Sequence, residues 1–120
     1  MPSVLIVDDS MVMRKSLRTL LEQLQYTVIG EAKDGSEAVE MYLTLQPDVV
    51  TMDIQMPNMN GIEATKAILG KNPSARIVMI SAADERNLVI EALKCGAKHY
   101  IIKPVSYEKV FEVLNKVIGN

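Results

Sequence analysis

Short runs of consecutive apolar residues alternate along this chain with longer stretches in which apolar residues recur every three or four positions. Residues 4–7 (Val-Leu-Ile-Val) are unbroken and β-branched, as expected of a strand covered on both faces. Met13, Leu17, Leu20, Leu21 and Leu24 follow at helical spacing, with Arg14, Lys15, Arg18 and Glu22 between them. Residues 27–31 predict a second strand, weakened by Gly30. Residues 35–45 predict a helix with Ala38, Met41, Tyr42 and Leu45 on one side, and Pro47 and Asp48 end it before a third strand at 49–52.

Met56-Pro57-Asn58-Met59-Asn60-Gly61 is rich in turn residues, and Asn60 is placed to cap a helix whose inner side is Ile62, Thr65, Ile68 and Leu69. Asn72-Pro73-Ser74 breaks that helix, and residues 76–80 form the fourth expected strand. A helix is expected from about 84 to 94, with Gly96 at its left-handed C-terminal cap. Residues 100–102 read as the fifth strand, and the helix after Pro104 carries Val110, Val113, Leu114 and Val117 inward. Tyr107, Phe111, Leu114 and Ile118 form a second apolar stripe there, expected to meet a partner in part or to cover the sheet edge. Strict strand–helix alternation predicts an α/β protein, a three-layer sandwich around a parallel sheet with right-handed crossovers.

Composition narrows the function classes. The 120 residues fit one domain, 1–120, and 48% hydrophobic with 23% charged residues is ordinary for a globular chain. A net charge of −2 leaves no excess of cations for a nucleic-acid footprint. The single cysteine, Cys95, excludes an internal disulfide and fits a reducing compartment. No apolar run approaches the roughly 20 residues needed to cross a bilayer, and the N-terminus lacks the basic start of a signal peptide. The expectation is a cytoplasmic protein with neither membrane insertion nor direct nucleic-acid binding.

Polar residues interrupt the pattern at the carboxyl ends of the strands: Asp8 and Asp9 after the first, Asp53 after the third, Ser81 after the fourth and Lys103 after the fifth. In an open parallel sheet these ends border the crevice where ligands bind. Three carboxylates gathered there repel one another, by roughly 4 kcal/mol per pair at about 4 Å and an effective dielectric of about 20. Lys103 offsets one charge. The rest calls for a hard divalent cation, and Mg²⁺ suits an all-oxygen ligand set completed by water and phosphate. Carboxylate, Mg²⁺ and lysine together favour phosphoryl transfer onto an aspartate, with the Ser81 hydroxyl available to a phosphoryl oxygen. Asp8 and Asp9 serving merely as helix caps is the plainer alternative.

Four segments carry a resemblance: Leu5-Ile-Val-Asp-Asp-Ser10, residues 50–61 (Val-Thr-Met-Asp-Ile-Gln-Met-Pro-Asn-Met-Asn-Gly), Val78-Met-Ile-Ser-Ala82 and Tyr100-Ile-Ile-Lys-Pro104. Over essentially its whole length the chain resembles the bacterial response-regulator receiver family, most closely free-standing chemotaxis regulators of the CheY type. The resemblance implies a flavodoxin-like (βα)5 fold with strand order 2-1-3-4-5. It implies Asp53 as phosphoacceptor, Asp9 as a direct Mg²⁺ ligand, Asp8 as a ligand largely through water, and the main-chain carbonyl of Gln55 as another. Lys103 would bind the phosphoryl group, with a cis peptide between Lys103 and Pro104. Ser81 and Tyr100 would be the switch pair, repacking the face of the fourth helix, fifth strand and fifth helix where partners dock. The implied partners are a sensor histidine kinase (or a small acyl phosphate) as donor, a downstream target protein, and in some pathways a phosphatase. The implied role is a two-component switch in chemotaxis, or a kinase-relay or diguanylate-type pathway, and no enzyme beyond its own phosphorylation and slow dephosphorylation.

Two alternatives stay open at this point. The chain is expected to act through another protein, and a receiver excised from a longer regulator would read the same way. A metal-dependent phosphatase with an aspartate nucleophile uses similar groups, but it expects a second acid two residues on, where Gln55 stands. A receiver that binds partners without phosphorylation fits poorly with the intact polar set. Gln55 is placed to orient an attacking water, whereas Ala83, two residues past Ser81, has no polar group, so slow intrinsic dephosphorylation is expected. Met11, Met56 and Met59 are expected to rim the crevice, His99 to lie at the surface or a sheet edge, and Cys95 to pack.

Overall fold

In the computed structural model, which describes residues 1–119, strands and helices alternate as β1 (Ser3–Val7), α1 (Met11–Gln23), β2 (Thr27–Ala32), α2 (Gly35–Leu45), β3 (Val49–Asp53), α3 (Gly61–Lys71), β4 (Ile77–Ser81), α4 (Arg86–Cys95), β5 (His99–Ile102) and α5 (Tyr107–Ile118). All pairings are parallel, in the order β2-β1-β3-β4-β5. This is the flavodoxin-like topology of the sequence reading.

The continuous apolar strands are explained by cover on both sides. Leu5, Val7, Val50, Met52, Ile77 and Met79 face one cluster, packed against Ala38 and Tyr42 of α2, Ile62 and Ile68 of α3, and Val89 and Ala92 of α4. Val4, Ile6, Val49, Val78 and Ile80 alternate onto the other, against Leu17 and Leu21 of α1 and Val110, Val113 and Leu114 of α5. Each fully buried aliphatic side chain contributes roughly 1.5–3 kcal/mol, so the two-sided core fixes the strand register. The interruption at Gly30 is real: the β1–β2 register shifts between Val4 and Leu5, with Leu5 opposite Gly30.

Local chemistry sets the helix ends. Asn60 caps α3 in a full capping box with Glu63. Asp34 and Ser106 cap α2 and α5. Gly96, at φ +120°, ends α4 in the left-handed region. Helix α4 starts two residues later than its apolar pattern predicts. Glu85 folds back instead, its carboxylate accepting the Ala82 N–H at 2.7 Å while its own N–H donates to the Ala82 carbonyl at 3.1 Å. The second stripe of α5 divides: Leu114 is fully buried and Ile118 packs against the core, leaving Tyr107 and Phe111 exposed. Among the described residues, no helix is long and apolar enough to cross a membrane.

Candidate functional site

The sheet grows outward from β1 in both directions, first to β2 and then, by a crossover, to β3. Helices that leave β1 and β3 pack on opposite faces, so a crevice opens at the carboxyl ends of these neighbouring strands. Asp53 is the last residue of β3, and Asp8 and Asp9 follow β1 directly. One carboxylate oxygen from each of Asp8, Asp9 and Asp53 lies within 4.8 Å of the others. Asp8 and Asp53 are buried, and Asp9 is exposed at the mouth.

The turn after β1 is held by specific bonds. Ser10, not an aspartate, caps α1, its hydroxyl accepting the Met13 N–H at 3.2 Å. Asp8 Oδ1 accepts the Ser10 N–H at 2.9 Å, and Asp9 is left to face the crevice. The plainer reading of the acid pair as helix caps is therefore not what the fold uses. On β3, Asp53 Oδ1 accepts the Ile54 N–H at 3.0 Å. The Lys103 ammonium reaches Asp53 Oδ1 at 3.4 Å and Asp8 Oδ2 at 3.8 Å. Its main-chain N–H donates to the Ser81 carbonyl at 2.7 Å, and Lys103–Pro104 is a cis peptide.

One cation among three carboxylates leaves the crevice electrostatically unbalanced. Burial, then repulsion from Asp8, lifts the Asp53 carboxyl from an ordinary 3.8 to about 6, with Lys103 and the Ile54 N–H opposing the rise. Burial also raises Asp8, against the Ser10 N–H and the charges of Lys103 and Arg14. Such a site is completed by positive charge. Its donors are all carboxylate oxygens, with neither thiolate nor imidazole in the cluster, and this chemistry fits a hard divalent cation.

Ser81 lies at the end of β4, fully buried, and its hydroxyl has no hydrogen-bond partner. A strand-end serine bonded to backbone would not show this. Thr51, one pleat below Asp53, is the other such hydroxyl among the described residues. Tyr100 is 40% exposed and points away from the interior, beside the half-buried edge residue His99 at 5.6 Å between rings. It lines a groove of about 420 Å³ between α4 and β5, together with Ala83, Arg86, Val89, Ile90 and Ile102. Gln55 and Ala83 are both exposed near the strand ends. The methionine rim is smaller than expected: Met11 is exposed, but Met56 and Met59 pack on the core.

Sequence reasoning missed three supports of the site. A Cβ on Gly61 would collide with the carbonyl of Asp53, so only glycine lets α3 begin against the end of β3, where the Gly61 N–H donates to the Ile54 carbonyl at 2.7 Å. Asp34 accepts the Asn58 amide at 2.9 Å as well as the Glu37 N–H at 2.8 Å, and these bonds hold its carboxyl below the ordinary range. They fasten the loop after β3 to the start of α2. Arg14 donates to the Asp8 carbonyl at 2.7 Å. The glycine was visible in sequence as a turn residue; the other two link segments too far apart to be read as pairs.

Comparison with known proteins places this arrangement. Residues 4–115 match the family described as the response regulator receiver domain. The chain is 52% identical to the chemotaxis protein CheY of Thermotoga maritima, covering 95% of each. Its structure is similar to the response regulator domain of Thermotoga maritima CheB, with a TM-score of 0.89 and 42% identity over 98% of this chain and 96% of that one. It is also similar to a chain of the CheX–CheY–BeF3–Mg²⁺ complex from Borrelia burgdorferi, with a TM-score of 0.86 and 38% identity over 94% and 89%.

Proposed function

The chain belongs to the response regulator receiver domain family, and from this premise we propose that it is a phosphorylation-controlled switch with Asp53 as the phosphoacceptor. The observation that supports the reading most is the meeting of Asp8, Asp9 and Asp53 within 4.8 Å, with the Lys103 ammonium 3.4 Å from Asp53.

A carboxylate oxygen of Asp53 attacks the phosphorus of a phosphohistidine on a sensor histidine kinase, or of a small acyl phosphate. The new P–O bond forms as the bond to the donor's nitrogen or oxygen breaks, and the electron pair leaves with the donor. Lys103 binds an oxygen of the transferring group and offsets its charge. Asp9 and Asp53, the main-chain carbonyl of Gln55, and Asp8 largely through water, are the groups that would hold Mg²⁺, which when bound neutralises and orients the phosphoryl group. Asp53 is buried, with only a small part of its surface open to solvent.

The readout begins at Ser81. Its unpartnered hydroxyl gains a hydrogen bond by turning toward a phosphoryl oxygen, which vacates space for Tyr100 to follow from its exposed position. The face of α4, β5 and α5 then changes shape, and a downstream target binds one form better than the other. A chemotaxis pathway is the setting that the likeness to CheY supports. The chain turns over no separate substrate, and any phosphatase acts on it as a partner.

Incubation with Mg²⁺ and acetyl phosphate, read by intact mass, tests the proposal. The expected result is a gain of one phosphoryl group that is absent in Asp53→Asn and in excess EDTA. No gain, or a gain that persists in Asp53→Asn, would overturn it. Steady hydrolysis of a generic phosphate ester would instead favour an aspartate-nucleophile phosphatase.

A further inference from the structure

The Asp8–Asp9 turn is braced from a direction unrelated to its helix cap. Arg14, in the first turn of α1, is half-buried and divides its guanidinium between two partners. Nη1 donates to the main-chain carbonyl of Asp8 at 2.7 Å, and Nε donates to Glu31 Oε1 at 3.1 Å. Glu31 lies on β2, opposite Ile6 of β1, so its side chain stands on the face of the sheet that α1 covers. The second oxygen of Glu31 accepts Arg18 Nε at 2.7 Å, and Arg18 is also paired with Glu22 at 3.3 Å. These bonds hold the Glu31 carboxyl well below the usual range, so it stays charged and keeps Arg14 in place.

We propose that Arg14 is a positioning residue of the cation site, anchored by Glu31 and fixing the Asp8 carbonyl so that the Asp8–Asp9 peptide aims both carboxylates at Asp53. The inference rests on the crevice being a cation site, as argued above. The geometry supports it in three ways. The Asp8 carbonyl belongs to the peptide that carries Asp9, so a bond to that oxygen limits rotation of the unit from which Asp9 projects. The Asp8 N–H already donates to Ala32 of β2 at 3.0 Å, so the turn is tied to β2 at one end directly and at the other through Arg14 and Glu31. A planar fork can hold a carboxylate and a carbonyl together at fixed angles, which a lysine ammonium cannot do with equal direction. Residues outside the ligand set that orient ligands this way commonly change metal affinity by about 10–100-fold when replaced.

Arg18 provides the internal control. It binds the same Glu31 carboxylate through a shorter contact but has no hydrogen bond to the Asp8 turn. A purely structural role for the network would make the two arginines interchangeable.

The test is calorimetric titration of Mg²⁺ into the full chain, with thermal melts in EDTA alongside. Arg14→Lys is expected to weaken Mg²⁺ binding by about tenfold while its melting temperature in EDTA stays close to that of the unsubstituted protein. Arg18→Gln is expected to bind Mg²⁺ normally, even where its melting temperature falls. Normal Mg²⁺ affinity in Arg14→Lys, or equal weakening in Arg18→Gln, would overturn the inference while leaving the crevice as a cation site. If the unsubstituted chain took up no Mg²⁺, the cation site itself would fall and the role of Arg14 with it.

Discussion

The ammonium of Lys103 stands 3.4 Å from the carboxylate of Asp53, fifty residues earlier in the chain, and 3.8 Å from Asp8. It is the one cation that touches both buried acids of the crevice among the described residues. Replacing it with an apolar side chain of similar length isolates its charge. Lys103→Met is expected to raise the Asp53 carboxyl above about 6, since the ammonium now opposes the rise. It is also expected to slow phosphorylation by acetyl phosphate on the order of a hundredfold. Carboxyl titration by NMR and a mass-spectrometric time course check the two effects, and an unchanged rate would remove Lys103 from the transfer step.

Asp53 links pH to stability. Its carboxyl titrates near 6 in the folded chain, against 3.8 ordinarily, so the folded state holds this proton more tightly than the unfolded state does. Ionisation of Asp53 therefore costs stability: nothing below about pH 4, a growing amount up to about pH 6, and a constant amount above. In EDTA at neutral pH, Asp53→Asn is expected to be more stable by about 1–2 kcal/mol, allowing for screening at the open side of the crevice. The gain should vanish toward pH 4. Denaturant melts at several pH values check this, and a gain independent of pH would refute the electrostatic account.

Added Mg²⁺ should act in the opposite sense. It is expected to raise the melting temperature of the unsubstituted chain in a concentration-dependent way and that of Asp53→Asn much less. Differential scanning calorimetry across a Mg²⁺ series would detect the difference, and equal shifts in both proteins would point to binding elsewhere.

Two glycines ten residues or fewer apart in sequence should respond oppositely to alanine. Gly61→Ala drives a methyl into the carbonyl of Asp53 and is expected to cost about 2–4 kcal/mol and impair phosphorylation. Gly70, inside α3, has nothing within 4 Å of where its Cβ would be, so Gly70→Ala is expected to stabilise by roughly 0.5–1 kcal/mol. Thermal melts of both variants suffice.

Ala83 is exposed two residues beyond the buried Ser81 and offers no group to orient water. Ala83→Glu should speed loss of the Asp53 phosphoryl group on the order of tenfold, followed as decay of the phosphorylated mass after the donor is removed. An unchanged decay rate would show that this position does not govern hydrolysis.

The fold was legible because each element had its own local signal. Strands covered on both sides needed unbroken apolar runs, and α2 ran from Gly35 to Leu45 as its pattern and flanking residues indicated. The polar residues of the crevice were legible for the converse reason: Asp8, Asp53 and Ser81 end apolar strands where solvent would otherwise begin. What stayed hidden depends on contacts between segments. Arg14 reads as an ordinary polar position of α1 until β2 brings Glu31 beside it. How the second stripe of α5 divides, with Leu114 and Ile118 on the core and Tyr107 and Phe111 exposed, stays open in the sequence because helical spacing cannot say how far α5 rolls onto the sheet. Helix α4 begins later than its apolar pattern indicates because Glu85 uses its side chain to close a turn.

The order in which the crevice acquires its charges follows from the strand that carries Lys103. All three aspartates have been made by residue 53, whereas the ammonium that touches the two buried ones, Asp8 and Asp53, arrives fifty residues later, after β5. The finished sheet therefore owes the ammonium between its two buried acids to the segment that follows its last strand. Docking of that edge strand is then also an act of neutralisation, since it carries the Lys103 ammonium to Asp8 and Asp53.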